Sequence, residues 1–154
     1  MPTCGKRRRR SNKRMQPTVL PLDASEEAVL ALVHQWVDAL AARDYVGAAT
    51  LLTQAGNERD WPPSLVEETI TRYEAPGWAS PSRVTSPAAA LQELPAAPRS
   101  EVTRWAQPRA RPEVLGTVEY DLPINGVWSD LTAIFWLRRL PGGLALELYD
   151  IHIL

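Results

Sequence analysis

The run Val114–Leu154, VLGTVEYDLPINGVWSDLTAIFWLRRLPGGLALELYDIHIL, decides the fold. Asn125-Gly126 lies between two stretches rich in β-branched and aromatic residues. A type I′ hairpin turn needs positive φ at both central positions, which Asn and Gly adopt at least cost. Pairing across it sets Ile124 opposite Val127, Tyr120 opposite Leu131, Val118 opposite Ala133 and Gly116 opposite Phe135. The second breaker, Pro141-Gly142-Gly143, read as a three-residue loop, sets Leu140 opposite Leu144; Tyr149 then faces Phe135, Ile151 faces Ala133 and Ile153 faces Leu131. Both registers follow from turn chemistry, yet they agree on one apolar face: Val114, Val118, Tyr120, Leu131, Ala133, Phe135, Leu137, Tyr149, Ile151 and Ile153. A one-residue slip would send a strand's apolar residues to the other side, so the agreement predicts an antiparallel meander of at least three strands.

That face needs a cover, and Asp23–Arg43 supplies one. Val29, Leu32, Val33, Trp36, Val37 and Leu40 follow helical spacing and form a single stripe. Asp23 with Glu26 has capping-box-like spacing, and acids fill the first turn, where the helix dipole favours them. His34 flanks the stripe and reads as a flank or core histidine, not a ligand. Asp44 can cap a short second helix, Tyr45–Leu52, which ends at the breaker Ala55-Gly56-Asn57. A third helix is expected over Ser64–Tyr73, with Ser64 and Glu67 as a capping box and a narrow face of Leu65, Val66, Thr69, Ile70 and Tyr73; Pro76-Gly77 stops it.

Between positions 76 and 112 the chain carries seven of its 14 prolines, which excludes a long regular element. Arg83–Ser86 could form an edge strand and Ala88–Leu94 one or two helical turns, with Trp78 and Trp105 pinning the loop to the body. The chain thus reads as α+β: a long N-terminal helix and two short ones packed on a C-terminal antiparallel β-sheet. Residues 23–154 form one domain with a Pro-rich loop at 76–112, preceded by a disordered basic tail at 1–22.

Charge is distributed unevenly. Residues 1–14 hold Lys6, Arg7 to Arg10, Lys13 and Arg14 and no acid, which leaves ten basic and 18 acidic residues elsewhere, a net charge of −8. An acidic body argues against nucleic-acid binding by the folded part, since phosphate contacts need clustered Lys and Arg. Cys4, the only cysteine, excludes an internal disulfide and a cysteine-built metal site. No apolar run is long enough for a secretory signal or a membrane span, so a soluble cytoplasmic protein is expected.

The sheet's opposite face divides in two. At one end Ile134, Trp136, Leu146 and Leu148 are too apolar to stay together in water, so Trp136, Leu146 and Leu148 are a candidate interface, a homodimer contact among the possibilities. At the other end Glu119, Asp121, Asp130, Thr132, Asp150 and His152 gather, with Asp121 directly opposite Asp130, an unfavourable pairing of like charges. Asp121, Asp130, Asp150 and His152 could hold a divalent ion, since carboxylates and imidazole suit Zn, Mn or Fe. Alternatively Asp130, Asp150 and His152 could be catalytic, an Asp orienting His152 as general base. The simplest reading is a hydrated sheet end whose acids His152 neutralises. Arg138-Arg139 reads as surface charge, and no cofactor is identified.

Three resemblances add to these readings. The opening VLALVHQWVDALAARDYVGAATLL, followed by short helices and a sheet, is similar to the nuclear-transport-factor-2-like, SnoaL-like superfamily; this implies a cone whose curved sheet wraps the long helix, though the Pro-rich middle stands where that family has its first strands. YDLPINGVWSDLTAIF with LELYDIHIL resembles the ending of a family of small bacterial proteins of unknown function. RRRRSNKRMQPT resembles a translated integron recombination site, which implies an accessory bacterial role and a start at Met15 or later. The superfamily holds both binding proteins and enzymes. The expected function is therefore a non-enzymatic module for a small ligand or protein, with a small acid–base or metal-assisted enzyme as the alternative.

Overall fold

The apolar stripe predicted for the first helix is the centre of the core. In the computed structural model, which describes residues 16–54, 60–74, 81–90, 98–107 and 109–154, α1 spans Glu26–Ala41 and buries Val29, Leu32, Val33, Trp36, Val37 and Leu40. Its cap is Ser25, whose hydroxyl accepts from the Ala28 N–H at 3.1 Å, so the expected Asp23–Glu26 box gives way to a cap two residues later. α2 spans Tyr45–Thr50 behind Asp44, which accepts from the Gly47 N–H at 2.8 Å. α3 spans Pro63–Thr71 and starts on Pro62-Pro63 with no side-chain cap. Proline lacks the N–H that a cap would satisfy and is preset for the first turn, which makes the Ser64 capping box unnecessary.

The sheet has four antiparallel strands in the order β1-β2-β3-β4: Ser100–Arg104, Val114–Ile124, Val127–Leu140 and Gly143–Ile153. The α+β class holds, with one strand more than the three-stranded meander. β1 lies inside the Pro-rich segment, in the proline-free run between Pro98 and Pro108, and pairs Val102 with Val118. Four of its five residues are exposed, so it carries almost no apolar signal. Arg104 at its end donates to the Leu22 and Ala24 carbonyls at 3.1 and 2.6 Å and ties β1 to the approach of α1. Instead of an edge strand, Arg83–Ser86 contributes a single bridge from Val84 to Ile124, and Thr85 Oγ1 accepts from the Gly126 N–H at 2.7 Å at the hairpin tip. A 3-10 turn, Pro87–Ala89, forms at the start of the expected Ala88–Leu94 helical turns, whose remainder from Leu91 lies outside the described residues. The tail through Met15, the Ala55-Gly56-Asn57 and Pro76-Gly77 breakers, Trp78 and the stretch from Leu91 to Ala97 lie outside the described residues.

Both registers contain irregularities. Asn125 and Gly126 have φ of 52° and 89° and pair Ile124 with Val127, as turn chemistry dictates. Three β3 residues then face one β2 residue, so Tyr120 meets Ala133 instead of Leu131, Val118 meets Phe135 and Gly116 meets Leu137. A shift of two preserves the facing of every side chain, so the apolar face survives. Ser129 patches the bulge: its hydroxyl donates to the Leu122 carbonyl at 2.7 Å and accepts from the Leu131 N–H at 3.1 Å.

The second hairpin is tighter than expected. Leu140 pairs with Gly143 across a Pro141-Gly142 turn, one residue out from the three-residue loop. Leu144, Leu146 and Leu148 therefore take the core side, each at most 4% exposed. A bulge at Tyr149 then restores the expected pairing of Ile151 with Ala133 and Ile153 with Leu131. The candidate interface loses Leu146 and Leu148 to the core for this reason, and Tyr149 leaves the core face to stack on Trp136 at 4.5 Å. Gly143 is needed where the N-terminal segment crosses, because a Cβ there would sit 2.1 Å from the Leu20 carbonyl oxygen. On the core side Trp36 meets Phe135 edge-on at 5.0 Å, and Tyr120 sits between His34 and Trp128. Among the described residues no helix is long and apolar enough to cross a membrane.

Candidate functional site

The acids predicted to gather at one sheet end are separated by the β3 bulge. Asp121 faces Thr132, not Asp130, and accepts hydrogen bonds from Thr132 Oγ1 and the Arg99 N–H, both at 2.7 Å. Glu119 is paired with Arg99 at 3.4 Å. Asp130 accepts from the Tyr73 hydroxyl, just beyond the end of α3. The like-charge opposition never forms, because the two extra β3 residues move Asp130 out of line with Asp121. Among the described residues, no group of three or more His, Cys, Asp or Glu is placed to hold a metal ion.

One pair stays together as its spacing predicts. Asp150 and His152 are two apart on β4, so their side chains share a face, and Asp150 Oδ2 lies 2.9 Å from His152 Nδ1. The other carboxylate oxygen, Oδ1, accepts from the Ile151 N–H at 3.0 Å and holds the group in place. A carboxylate only accepts, so a proton on Nδ1 is what faces Asp150, and Nε2 lies on the far side of the ring. The side chains of His152 and Asp150 are 37% and 20% exposed, so the pair meets water without being immersed in it.

His152 also borders a groove. Thr69, Arg72 and Tyr73 form one wall at the end of α3, while Leu131, Ile151 and Ile153 give an apolar floor from the ends of β3 and β4; the groove is shallow and open to solvent, with a volume of about 360 Å³. Tyr73 keeps its proton: burial first, then the hydrogen bond to Asp130 and that group's negative charge, push its pKa up to about 12. The Arg72 guanidinium is paired with Glu68 at 2.8 Å on the outer side of the same helix. Tyr73 and Arg72 did not emerge as site residues from the sequence. Tyr73 carried a signal, as a polar-tipped aromatic at the end of the apolar stripe of α3, but its partner Asp130 lies 57 residues away. A second cavity, bordered by Trp36, Tyr45, Trp61 and Leu148, holds only about 20 Å³, room for a single water.

The other half of the outer sheet face is dry and charged. Arg138 and Glu147, 4% and 0% exposed, form an ion pair through Arg138 Nε, and Glu113 approaches the same guanidinium at 3.3 Å. Burial pushes the Glu147 carboxyl up, against the pull of Arg138. Arg138 Nη2 and Glu147 Oε1 have no hydrogen-bond partner among the described residues. Arg138 is therefore not the surface charge its Arg-Arg context suggested. Trp136, the remaining member of the predicted interface, lies beside this pair, stacked on Tyr149 and beneath the Arg111 guanidinium at 5.1 Å. Comparison with known proteins found no matching family model, no matching curated protein and no matching solved structure.

Proposed function

We propose that the protein is a non-enzymatic binding module that takes a small, mainly apolar molecule in the groove between the end of α3 and the ends of β3 and β4. The observation that carries this reading is the groove's make-up: about 360 Å³ with an apolar floor of Leu131, Ile151 and Ile153 and a few fixed polar groups at its rim. Small-molecule sites have this size and composition, whereas the cavity beside Trp36 is an order of magnitude too small. The order of one long helix, two short helices and an antiparallel sheet supports a nuclear-transport-factor-2-like assignment, and the integron-like string near the N-terminus supports an accessory bacterial role.

A specific observation also favours the enzymatic reading. The His152–Asp150 dyad borders the groove with Nε2 unbonded among the described residues, the arrangement of a general base, and no metal is needed for it. The binding reading is preferred because, among the described residues, no second titratable group is held against His152 Nε2 to complete an acid–base pair.

A saturation-transfer NMR screen of a fragment collection tests the proposal, using wild type and Ile153→Trp. Ile153 is 61% exposed, so a larger side chain fills the groove without disturbing the core. Hits that bind wild type and vanish in the variant, at unchanged melting temperature, are expected. Hits indifferent to the variant would contradict the assignment of the groove.

A further inference from the structure

The two edges of the sheet are finished differently. Along β4 the edge is closed from Leu144 to Tyr149. Leu20 and Leu144 exchange backbone hydrogen bonds, both at 2.7 Å, the Thr53 N–H donates to the Leu146 carbonyl at 2.8 Å, and Trp61 Nε1 donates to the Tyr149 carbonyl at 3.0 Å. On the β1 side, the Asp121 N–H donates to the Arg99 carbonyl and the Trp105 N–H to the Leu115 carbonyl, both at 2.9 Å, so pairing with β2 continues one residue past each end of β1. Antiparallel bonding alternates along a strand. Arg99, Glu101, Thr103 and Trp105 therefore bond to β2, while the backbone N–H and C=O of Ser100, Val102 and Arg104 point away from it. Among the described residues none of these outward groups has a hydrogen-bond partner, and Ser100, Glu101, Thr103 and Arg104 are exposed.

An open row of donors and acceptors is a template for one more strand. We infer that a second copy of this chain supplies it: β1 pairs antiparallel with its own counterpart about a two-fold axis at Val102, and the two sheets run on as one. The bonded stretch from Arg99 to Trp105 is centred on Val102, so this axis sets Val102 against Val102 and Ser100 against Arg104 in both directions, and every outward backbone group is used. Val102 packs against the core, which puts Arg99, Glu101, Thr103 and Trp105 on the outer face. There the same register sets Glu101 of one copy opposite Thr103 of the other, a carboxylate opposite a hydroxyl that already donates to Glu101 within its own chain at 3.4 Å. It also sets the Arg99 guanidinium of one copy opposite the Trp105 ring of the other. Sliding by two residues one way opposes Glu101 to Glu101, and sliding the other way carries Ser100 past the end of the partner strand. The pairing also closes. Because β4 is covered from Leu144 to Tyr149, a β1-to-β4 contact that would build a filament is blocked, and assembly ends at two.

A strand pair of this length is a small interface, and small interfaces are weak. Sedimentation velocity of the full chain is therefore run from about 1 µM to about 1 mM, the range of a weak association. The expected result is a mass that rises from one chain towards two, with the backbone amides of Val102 and Arg104 gaining protection from hydrogen exchange over the same range. Ser100→Pro and Val102→Pro each remove an outward N–H and spare the bonds to β2. Both should stay monomeric at the highest concentration while circular dichroism keeps the wild-type spectrum. Ser100 is exposed, so its variant decides the matter even where loss of the Val102 side chain loosens the core. A monomer at every concentration overturns the proposal and leaves the edge to a strand of another protein. A dimer that survives both prolines, or one that forms without protecting these amides, places the contact elsewhere and overturns it equally.

Discussion

Two side-chain pairs, each joining an acid to a basic residue, lie on the last hairpin, and their difference is instructive. Arg138 and Glu147 reach across from β3 to β4 and are almost wholly shielded from water, whereas Asp150 and His152 sit two residues apart near the end of β4 with a third and a fifth of their side chains exposed, in the order His152 and Asp150. The first pair has been desolvated and must stay intact, because either partner alone would be an uncompensated buried charge. The second keeps part of its solvation. One pair is committed to the fold, and the other meets water.

The largest expected effect breaks the buried pair. Glu147→Ala should cost on the order of 3–5 kcal/mol of unfolding free energy by denaturant titration, since it strands Arg138 in the interior. The double replacement Arg138→Met with Glu147→Leu should recover most of that loss. If the single variant costs under about 1 kcal/mol, Arg138 reaches water and the contrast between the pairs collapses.

A second prediction uses pH. Tyr73 and Tyr120 both have folded-state pKa values near 12, raised first by burial and then by a neighbouring acid, Asp130 for Tyr73 and Asp38 for Tyr120. The unfolded value is about 10. The native state therefore holds these protons more tightly, and the stabilisation present below pH 10 is lost as pH rises from about 10 through 12. Tyrosinate absorbance should resolve a late-titrating group that is reduced in Tyr73→Phe and again in Tyr120→Phe. Titration of all four tyrosines together near 10 would remove the Tyr73–Asp130 contact from the groove.

Smaller effects belong to the exposed pair and to the core hydroxyl. Asp150→Asn should change stability by less than about 1 kcal/mol, as expected for a partly solvated side-chain pair. Tyr120→Phe should leave the melting temperature unchanged or raise it slightly, because the Tyr120 hydroxyl is buried with no partner among the described residues and its removal costs no hydrogen bond. A marked loss in either variant would show that these groups support the fold.

How far the sequence could be read depended on whether the information was local. The stripe from Val29 to Leu40 and the Asn125-Gly126 turn are written in neighbouring residues, and both appear as expected. The bulges are not. The β3 bulge shifts the register by two and leaves the facing intact, so the core face was legible even though Tyr120 met a different partner. The β4 turn shifts it by one and the Tyr149 bulge shifts it back, so between Leu144 and Leu148 every side chain was assigned to the wrong face. That local inversion placed Leu146 and Leu148 on the surface and hid the Arg138–Glu147 pair. Within the candidate site, Asp150 and His152 were legible because strand spacing alone unites them. Asp130 needed Tyr73 from a distant helix, and Asp121 needed Arg99 from a loop with no pattern to announce it.

The contrast between the two pairs comes down to one comparison of thermal melts, in Glu147→Gln and Asp150→Asn. Glu147→Gln is expected to lower the melting temperature by several degrees, because it weakens the hold on a buried Arg138, while Asp150→Asn leaves it nearly unchanged. An unchanged melting temperature in Glu147→Gln, or an equal loss in Asp150→Asn, would contradict the assignment of the buried pair alone to the fold.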